Sequence, residues 1–337
     1  MSSVIVKNAA TGKELVWRRI KITKSLDDIC HTLEAELAPT ERILVHKHDK
    51  IEVRYANALV KDSGGKRRVT TVLVDEVTAA ADESRHSVSV IGRSPARDII
   101  DSTWSGEFSE FKLLDLIKEI AGKFGITCFV FPKGTATGEV PVFRFENESP
   151  WARLAAEAAG QGYLFTSNEA GNLYLWKVAS GDRSEGFNLT EGANVKTIQW
   201  TENGAEQFHE YIITGGGEEP VSAIDRTVNN KRVLTINMTD PEVTFDKIKR
   251  RAETEMRRRK ENKTVVTVSG WGLTDEQIKR LGTTAEKEIF WIPNALIPVR
   301  IPSLGLNCSL LISEVEYEAS PDTMMTTLTL VNREAYL

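Results

Sequence analysis

Apolar and polar residues alternate in short runs over the first ninety or so positions. The runs are Val4-Ile5-Val6, Leu15-Val16-Trp17, Ile20 to Ile22, Ile43 to Val45, Ile51 to Tyr55, Val69 to Val74 and Ser87 to Ile91. They are rich in β-branched residues. Thr11-Gly12, Asp49-Lys50, Asp62-Ser63-Gly64-Gly65 and Asp82-Glu83 separate them as turns. This pattern predicts strands. Leu26, Ile29, Cys30 and Leu33 instead fall at helical spacing and predict one short helix. Many short strands with frequent turns indicate a small barrel or sandwich over 1–93.

The texture changes after Gly92-Arg93-Ser94-Pro95. Ser94 followed by Pro95 reads as a helix start, a hydroxyl cap and then proline at the first helical position. A longer helix follows, with Phe111, Leu114, Ile117, Lys118, Ala121 and Phe124 along one side. Leu113 and Ile120 widen the stripe, and Gly125 ends it. A strand is expected at Ile126 to Phe131. Ser149-Pro150 opens a second helix through Trp151, Leu154, Ala155 and Ala158, closed at Gly160 or Gly162. Strands at Tyr163 to Thr166 and Leu173 to Lys177 then flank a hairpin turn at 168–172. Residues 94–183 read as an α+β unit with two helix-to-strand repeats.

Strands return from 184 onward, at Val195 to Trp200, Glu210 to Thr214, Val233 to Ile236, Thr264 to Ser269, Ile289 to Ile292, Leu310 to Tyr317 and Thr326 to Val331. One polar helix over about Phe245 to Lys263 interrupts them, started at Asp240-Pro241 or Thr244. Its apolar line is thin: Ile248, Ala252 and Met256.

The two β-rich ends resemble each other. Asn57-Ala58-Leu59-Val60 recurs as Asn294-Ala295-Leu296-Ile297, Leu73 to Val77 as Leu311 to Val315, and Val88 to Arg93 as Leu328 to Arg333. The offset drifts from 237 to 238 to 240, and the apolar positions keep phase. In-phase matches preserve which face of a strand is buried. The expected fold is mixed and mainly β: two similar small β-barrels flanking an α+β domain. The first barrel is 1–93, the α+β domain 94–183, the second barrel 184–222 with 264–337, and 223–263 a helix-containing insertion. Three copies of such a chain present six similar barrels, which can dock on a six-fold ring while another end stays three-fold.

Composition narrows the function. The chain has 337 residues, 43 Lys plus Arg, 48 Asp plus Glu and a net charge of -5, which argues against a dedicated nucleic-acid binder. Cys30, Cys128 and Cys308 are far apart, so no disulfide scaffold or zinc ribbon is indicated. No segment approaches the ~20 apolar residues of a membrane span, and the first residues do not read as a secretory signal. Folding in a cytoplasm, without stable membrane association, is expected.

Candidate chemistry is sparse. His46 and His48 sit two apart near Asp49, a spacing that fits one strand face, but no ligand set is complete. His31, His86 and His209 are isolated. Arg250, Arg251, Arg257, Arg258, Arg259 and Lys260 crowd the polar helix, yet Glu253, Glu255 and Glu261 intersperse them. The pairs Glu253–Arg257 and Glu255–Arg259 have helix-stabilising spacing, so a solvated or subunit-facing helix is expected rather than a phosphate site. Ser63-Gly64-Gly65-Lys66 and Gly215-Gly216-Gly217 do not fit GxxxxGK[ST]; the second reads as a flexible joint. Glu107 with Glu110 and Glu146 with Glu148 are the carboxylate pairs a glycosidase would need, but pairs are common among so many acids. No GxSxG elbow supports a hydrolase. Trp17, Trp104, Trp151, Trp176, Trp200, Trp271 and Trp291 are candidate core or partner anchors.

The stretch Val90-Ile91-Gly92-Arg93-Ser94-Pro95-Ala96-Arg97-Asp98-Ile99-Ile100-Asp101-Ser102 resembles the "GRS…D-hydrophobic-hydrophobic-D" segment of contractile-tail phage hub proteins. The C-terminal strands followed by Asn332-Arg333-Glu334-Ala335-Tyr336 are similar too. The resemblance is closest to the baseplate hubs of Mu-like phages and covers essentially the whole chain. It implies a homotrimeric ring in the tail baseplate of the virion, assembled in the host cytoplasm. The ring would join the hexameric tail tube to the trimeric membrane-piercing spike, with DNA passing its channel only in transit. It implies no catalytic residue, cofactor or metal, and so no enzyme. The rival readings are a tail-associated peptidoglycan hydrolase and the hub of a non-viral injection or secretion machine.

Overall fold

The computed structural model describes residues 3–38, 45–57, 59, 66–81, 86–177, 186–229, 231–238, 243–281 and 289–336. Its N-terminal strands are β1 (Ser3–Asn8), β2 (Glu14–Leu15), β3 (Trp17–Ser25), β4 (Thr32–Leu37), β5 (Lys50–Ala56), β6 (Lys66–Ala81) and β7 (His86–Arg93). Their side chains alternate as the sequence pattern requires. In β4, Leu33, Ala35 and Leu37 are buried while Glu34 and Glu36 are exposed. Only Val16 separates β2 from β3. The bend there lets one segment pair with β1 through Leu15 and with β4 through Trp17 to Thr23. The ladder β3-β4-β7-β6-β5-β1-β2 thereby returns to its own start. The run Ile43 to Val45 lies outside the described residues except for Val45, which is buried but not in a strand.

The short helix expected at Leu26 to Leu33 does not form. Its four apolar residues are all buried, but in three different places. Leu26 packs with Leu311 and Val331, Ile29 and Cys30 enter the α+β core, and Leu33 enters the barrel core. The spacing came from a crossing between cores, not from one helix face.

The middle of the chain contains α1 (Arg97–Asp101), β8 (Trp104–Lys112), α2 (Leu113–Gly122), β9 (Cys128–Phe131), β10 (Glu139–Glu148), α3 (Pro150–Gly160), β11 (Tyr163–Ser167) and β12 (Leu173–Lys177). Ser149 caps α3 as expected, accepting from the Trp151 N–H at 3.3 Å. Ser94 does not cap α1, which starts later with no side-chain cap. The longer helix is also shorter than expected, because Phe111 lies in β8. The ribbon β8–β10 carries no clean apolar alternation, and its pairing is a tertiary result. Leu113, Leu116, Ile117 and Ile120 pack with Phe143, Phe145 and Leu154 in a separate core.

The C-terminal elements are β13 (Leu189–Thr190), β14 (Val195–Thr201), β15 (Glu210–Gly215), β16 (Glu218–Ile224), β17 (Val233–Met238), α4 (Phe245–Lys260), β18 (Lys263–Ser269), α5 (Asp275–Leu281), β19 (Leu296–Ile301), β20 (Leu306–Ala319) and β21 (Met324–Val331). The second ladder runs β14-β18-β21-β20, with β19 and β13 completing it. The boundary at 222 is not observed. β15 and β16 pair with β17, not with the second ladder, and the three strands share a small core with α4 built on Ile213, Val243, Ile248 and Ala252. Nor is Ile289 to Ile292 a strand: Phe290 makes one isolated bridge with Gly272, and Ile289, Phe290 and Trp291 fill the core.

The two ladders match strand for strand: β3 with β14, β4 with β18, β5 with β19, β6 with β20 and β7 with β21. Both carry bulges at matching places. The β6–β7 register shifts between Val74 and Glu76, and the β20–β21 register between Ile312 and Glu314. The first pair shifts between Trp17 and Arg19 in β3, and its counterpart between Val195 and Thr197 in β14. His48 and Asn294 both have left-handed backbone, with φ of 71° and 68°. Each donates its N–H to the residue before the bulge, Val74 at 2.8 Å and Ile312 at 2.9 Å.

This correspondence corrects two of the three sequence matches. Leu73 to Val77 does equal Leu311 to Val315. Val90 and Leu328 are the true counterparts, since they pair with Val77 and Val315. The match of Val88 with Leu328 was therefore two residues out of register. Asn57 follows β5 whereas Asn294 precedes β19, so that match is fortuitous; Ala58 and Val60 lie outside the described residues. The copies also differ at their closing strand: β1 is antiparallel to β5, but β13 is parallel to β19.

The ladders fuse where β3 pairs antiparallel with β20, Ile20 to Ser25 against Glu314 to Ala319. One apolar core runs beneath both, from Ile20, Leu33 and Val90 to Val266, Tyr317 and Leu328.

Candidate assembly surface

The fusion makes one continuous wall, in the order β14-β18-β21-β20-β3-β4-β7-β6. One face is the core and the other is polar, as an antiparallel sheet with one wet side requires. Glu34, Glu36, Glu76, Glu314, Glu316 and Glu318 share the polar face with Arg19, Lys21, Arg93 and Lys263, and Arg18 and Lys196 are exposed on the same strands. Where the two ladders meet, Lys21 bonds Glu316 at 2.7 Å and Arg19 bonds Glu318 at 2.8 Å. The bond to Glu316 raises the Lys21 ammonium above its usual range. Burial raises the Glu314 carboxyl.

The Gly92-Arg93-Ser94-Pro95 segment is a clasp between the first barrel and the α+β unit. A Cβ on Gly92 would stand 2.8 Å from the Leu73 carbonyl oxygen, so this position needs glycine. Arg93 reaches both Asp101, at 2.5 Å, and Asp75, at 2.8 Å. Those two hydrogen bonds raise its guanidinium, and the bond from Arg93 holds Asp101 below the usual carboxylate range. Buried Arg97 adds an ion pair to Asp75 and a 3.2 Å bond to the Leu73 carbonyl. The Ser94 hydroxyl is buried, accepts from the His31 N–H at 3.3 Å and meets Ser167 Oγ at 3.1 Å. Pro95 packs on the turn at Gly171, where a Cβ would lie 2.4 Å from its Cδ.

Most cations of helix α4 have partners within the chain. Lys247 bonds Glu157 at 2.7 Å, and Arg250 donates to the Gly160 carbonyl at 2.8 Å. Arg251 and Arg259 both bond buried Glu255, and Glu253–Arg257 forms as the spacing foretold. Arg258 pairs with Asp27 and lies 5.0 Å from the Tyr336 ring, whose hydroxyl donates to Asp27 at 2.8 Å. The helix thus locks the insertion to the α+β unit, the first barrel and the C-terminal tail.

The remaining candidates do not converge. His46 and His48 lie in an exposed turn rather than a strand, and Asp49 accepts from the His46 backbone N–H and from Asn8. Among the described residues, no group of His, Cys, Asp and Glu could hold a metal ion. His31 is buried against Thr70, His86 is exposed at the start of β7, and the His209 N–H donates to the Arg232 carbonyl. Glu107, Glu110, Glu146 and Glu148 are exposed on the β8–β10 ribbon, and Arg144 takes Glu107 at 2.8 Å. Ser63 to Gly65 lie outside the described residues. Gly215 to Gly217 are not a joint but the tight β15–β16 turn. Trp271 and Trp291 are core residues, while Trp200 on β14 is 45% exposed. Trp17 donates to the Val4 carbonyl, and Trp104, Trp151 and Trp176 pack on Phe145, Phe165 and Phe131. The wall and its free edges, which sequence reasoning missed, carried no motif to find them by.

No protein-family model matches the sequence, and no curated protein matches it. Solved structures do. A 43 kDa tail protein of prophage MuSo2 from Shewanella oneidensis is 24% identical over 99% of each chain, with a TM-score of 0.82. The chain has the fold of a prophage tail protein. A tail protein from Neisseria meningitidis shares this tail-protein fold, with 16% identity over 99% of this chain and 98% of that one and a TM-score of 0.77. An Escherichia coli component of the type VI secretion system is more distant. It is 8% identical over 96% of this chain and 76% of that one, with a TM-score of 0.61.

Proposed function

We propose that this chain is the structural hub of a contractile phage tail. Three copies form a ring in the baseplate of the virion, after assembly in the host cytoplasm. One side of the ring meets the hexameric tail tube and the other the trimeric spike. DNA passes through without being held, and no reaction is catalysed.

One observation carries this reading: the matched ladders, down to their bulges, joined side by side by β3 and β20. A chain built from two equivalent blocks turns a three-fold ring into a six-fold docking surface. The chain's net charge of -5 supports passage of DNA without retention, since a strongly cationic lining would bind the phosphate backbone. Among the described residues no helix is long and apolar enough to cross a membrane. The secretion-system neighbour supports a second reading, the hub of a non-viral injection machine, which genes for sheath, tube and spike without a capsid would favour.

Light scattering coupled to gel filtration tests the ring. A trimer is expected at micromolar concentration, and class averages of it in the electron microscope should display six similar lobes. A stable monomer overturns the reading. Robust cell-wall degradation, abolished by Glu107→Gln or Glu146→Gln, would replace it with an enzyme.

A further inference from the structure

The wall ends on two strand edges. β14 pairs with β18 on one side only. The last part of β6, Glu76 to Ala81, pairs with β7 on one side, while β5 covers only Lys66 to Leu73 on the other. Among the described residues, neither outer edge has a backbone partner.

The internal match says what belongs there. The counterpart of Glu76 to Ala81 is Glu314 to Ala319 of β20, and that stretch has its second side filled by β3. The counterpart of β3 is β14. The chain therefore already contains, once, the pairing that its two free edges would make with a second copy.

We propose that β14 of one subunit pairs antiparallel with the end of β6 in the next, in the register that β3 and β20 use within the chain. The proposal deepens the ring reading and rests on it. Within the chain, Glu316 faces Thr23, Tyr317 faces Ile22 and Glu318 faces Lys21. Carried across, Thr78 faces Thr201, Ala79 faces Trp200 and Ala80 faces Gln199. Bulk changes sides but stays complementary. Inside the chain the large ring sits on β20; across the seam it is half-exposed Trp200 on β14, opposite exposed Ala79. The edge of β6 also lacks the lysines and prolines that blunt strand edges meant to stay in water: its last residues are Ala79, Ala80 and Ala81. Repeating one head-to-tail junction closes a ring when the rotation closes.

Paired cysteines test the seam. Thr78→Cys with Thr201→Cys, in a Cys308→Ser background, places two thiols on directly opposed residues, within the ~4.4–6.8 Å Cα range a disulfide spans. Cys30 and Cys128 are buried. Mild oxidation of the full chain should link most of the protein into covalent trimers on a non-reducing gel, while either single variant stays unlinked. Trp200→Lys should shift the trimer to monomer at micromolar concentration with an unchanged far-ultraviolet spectrum. A trimer in which the double variant does not link and Trp200→Lys still assembles overturns this seam and leaves the ring standing. A wild-type monomer overturns both.

Discussion

Asp75 and Ser313 occupy the same bulge in the two copies of one strand arrangement. Each is the extra residue of its strand, yet they do different work. Asp75 takes Arg93 and Arg97 and so ties the α+β unit to the first barrel. Ser313 donates its hydroxyl to the Thr329 carbonyl, and its own carbonyl accepts from the Leu26 N–H at 2.8 Å. A bulge redirects a side chain out of the alternation, and each copy has used that freedom for a different tether.

Asp75→Ala leaves the buried Arg97 guanidinium with the Leu73 carbonyl and exposed Asp98, at 3.4 Å, as partners. Asp75 itself is partly exposed, so taking this partner from buried Arg97 should cost about 1–3 kcal/mol. The urea midpoint should fall accordingly, and Asp75→Asn should recover part of the loss. A midpoint unchanged by Asp75→Ala would show that the clasp does not hold the units together.

Tyr317 is fully buried, and its hydroxyl donates to the Trp291 carbonyl in the common core. Tyr317→Phe strands that carbonyl and should cost about 1–2 kcal/mol. Leu33→Ala, a cavity in the same core, should cost about 2–5 kcal/mol. Chemical denaturation of both variants should give one cooperative loss of both ladders, since one core serves them. Separate transitions would contradict that.

Gly216 has φ of 62°, and a Cβ there would lie 2.4 Å from the Val243 carbonyl oxygen. Gly216→Ala should destabilise the β15–β16 turn by more than about 1 kcal/mol through strain and steric clash. Hydrogen exchange should show β15 to β17 opening more readily, with the ladders little changed. Equal protection in the variant would mean the turn relaxes freely.

Burial, and then the nearby Lys24 charge, holds the His31 imidazole well below 6.5 in the native protein. The unfolded chain therefore binds a proton that the native one excludes. Stability from this group is full above the unfolded value and declines as pH falls below it, by about 1.4 kcal/mol per pH unit. Thermal midpoints should drop between pH 7 and 5, and His31→Gln should flatten that drop. Asp101 works lower: its depressed carboxyl adds stability above its ordinary 3.8 that is lost in stronger acid. An unaltered slope in His31→Gln would assign the acid sensitivity elsewhere.

Much was legible along the chain. The caps at Ser149 and Thr244, the 245–260 helix with its i,i+4 pairs, and most strand cores follow from local chemistry. The middle match, Leu73 to Val77 with Leu311 to Val315, found the duplication. The misses share a cause. Leu26 to Leu33, the ribbon β8–β10 and the strand pair 210–224 look ordinary in sequence, and each was settled by what it packs against. The clasp residues were visible as a motif, but not as a clasp, because Asp75 sits on another strand.

The sequence alone determined which residues face inward, because strand and helix periods are local properties of the backbone. It could not decide partners. Arg19 and Glu318 are 299 positions apart, and only packing brings β3 beside β20. Hydrogen bonds between strands are chemically alike at every register. Tertiary burial chooses among them, and with that choice it made one wall from two ladders.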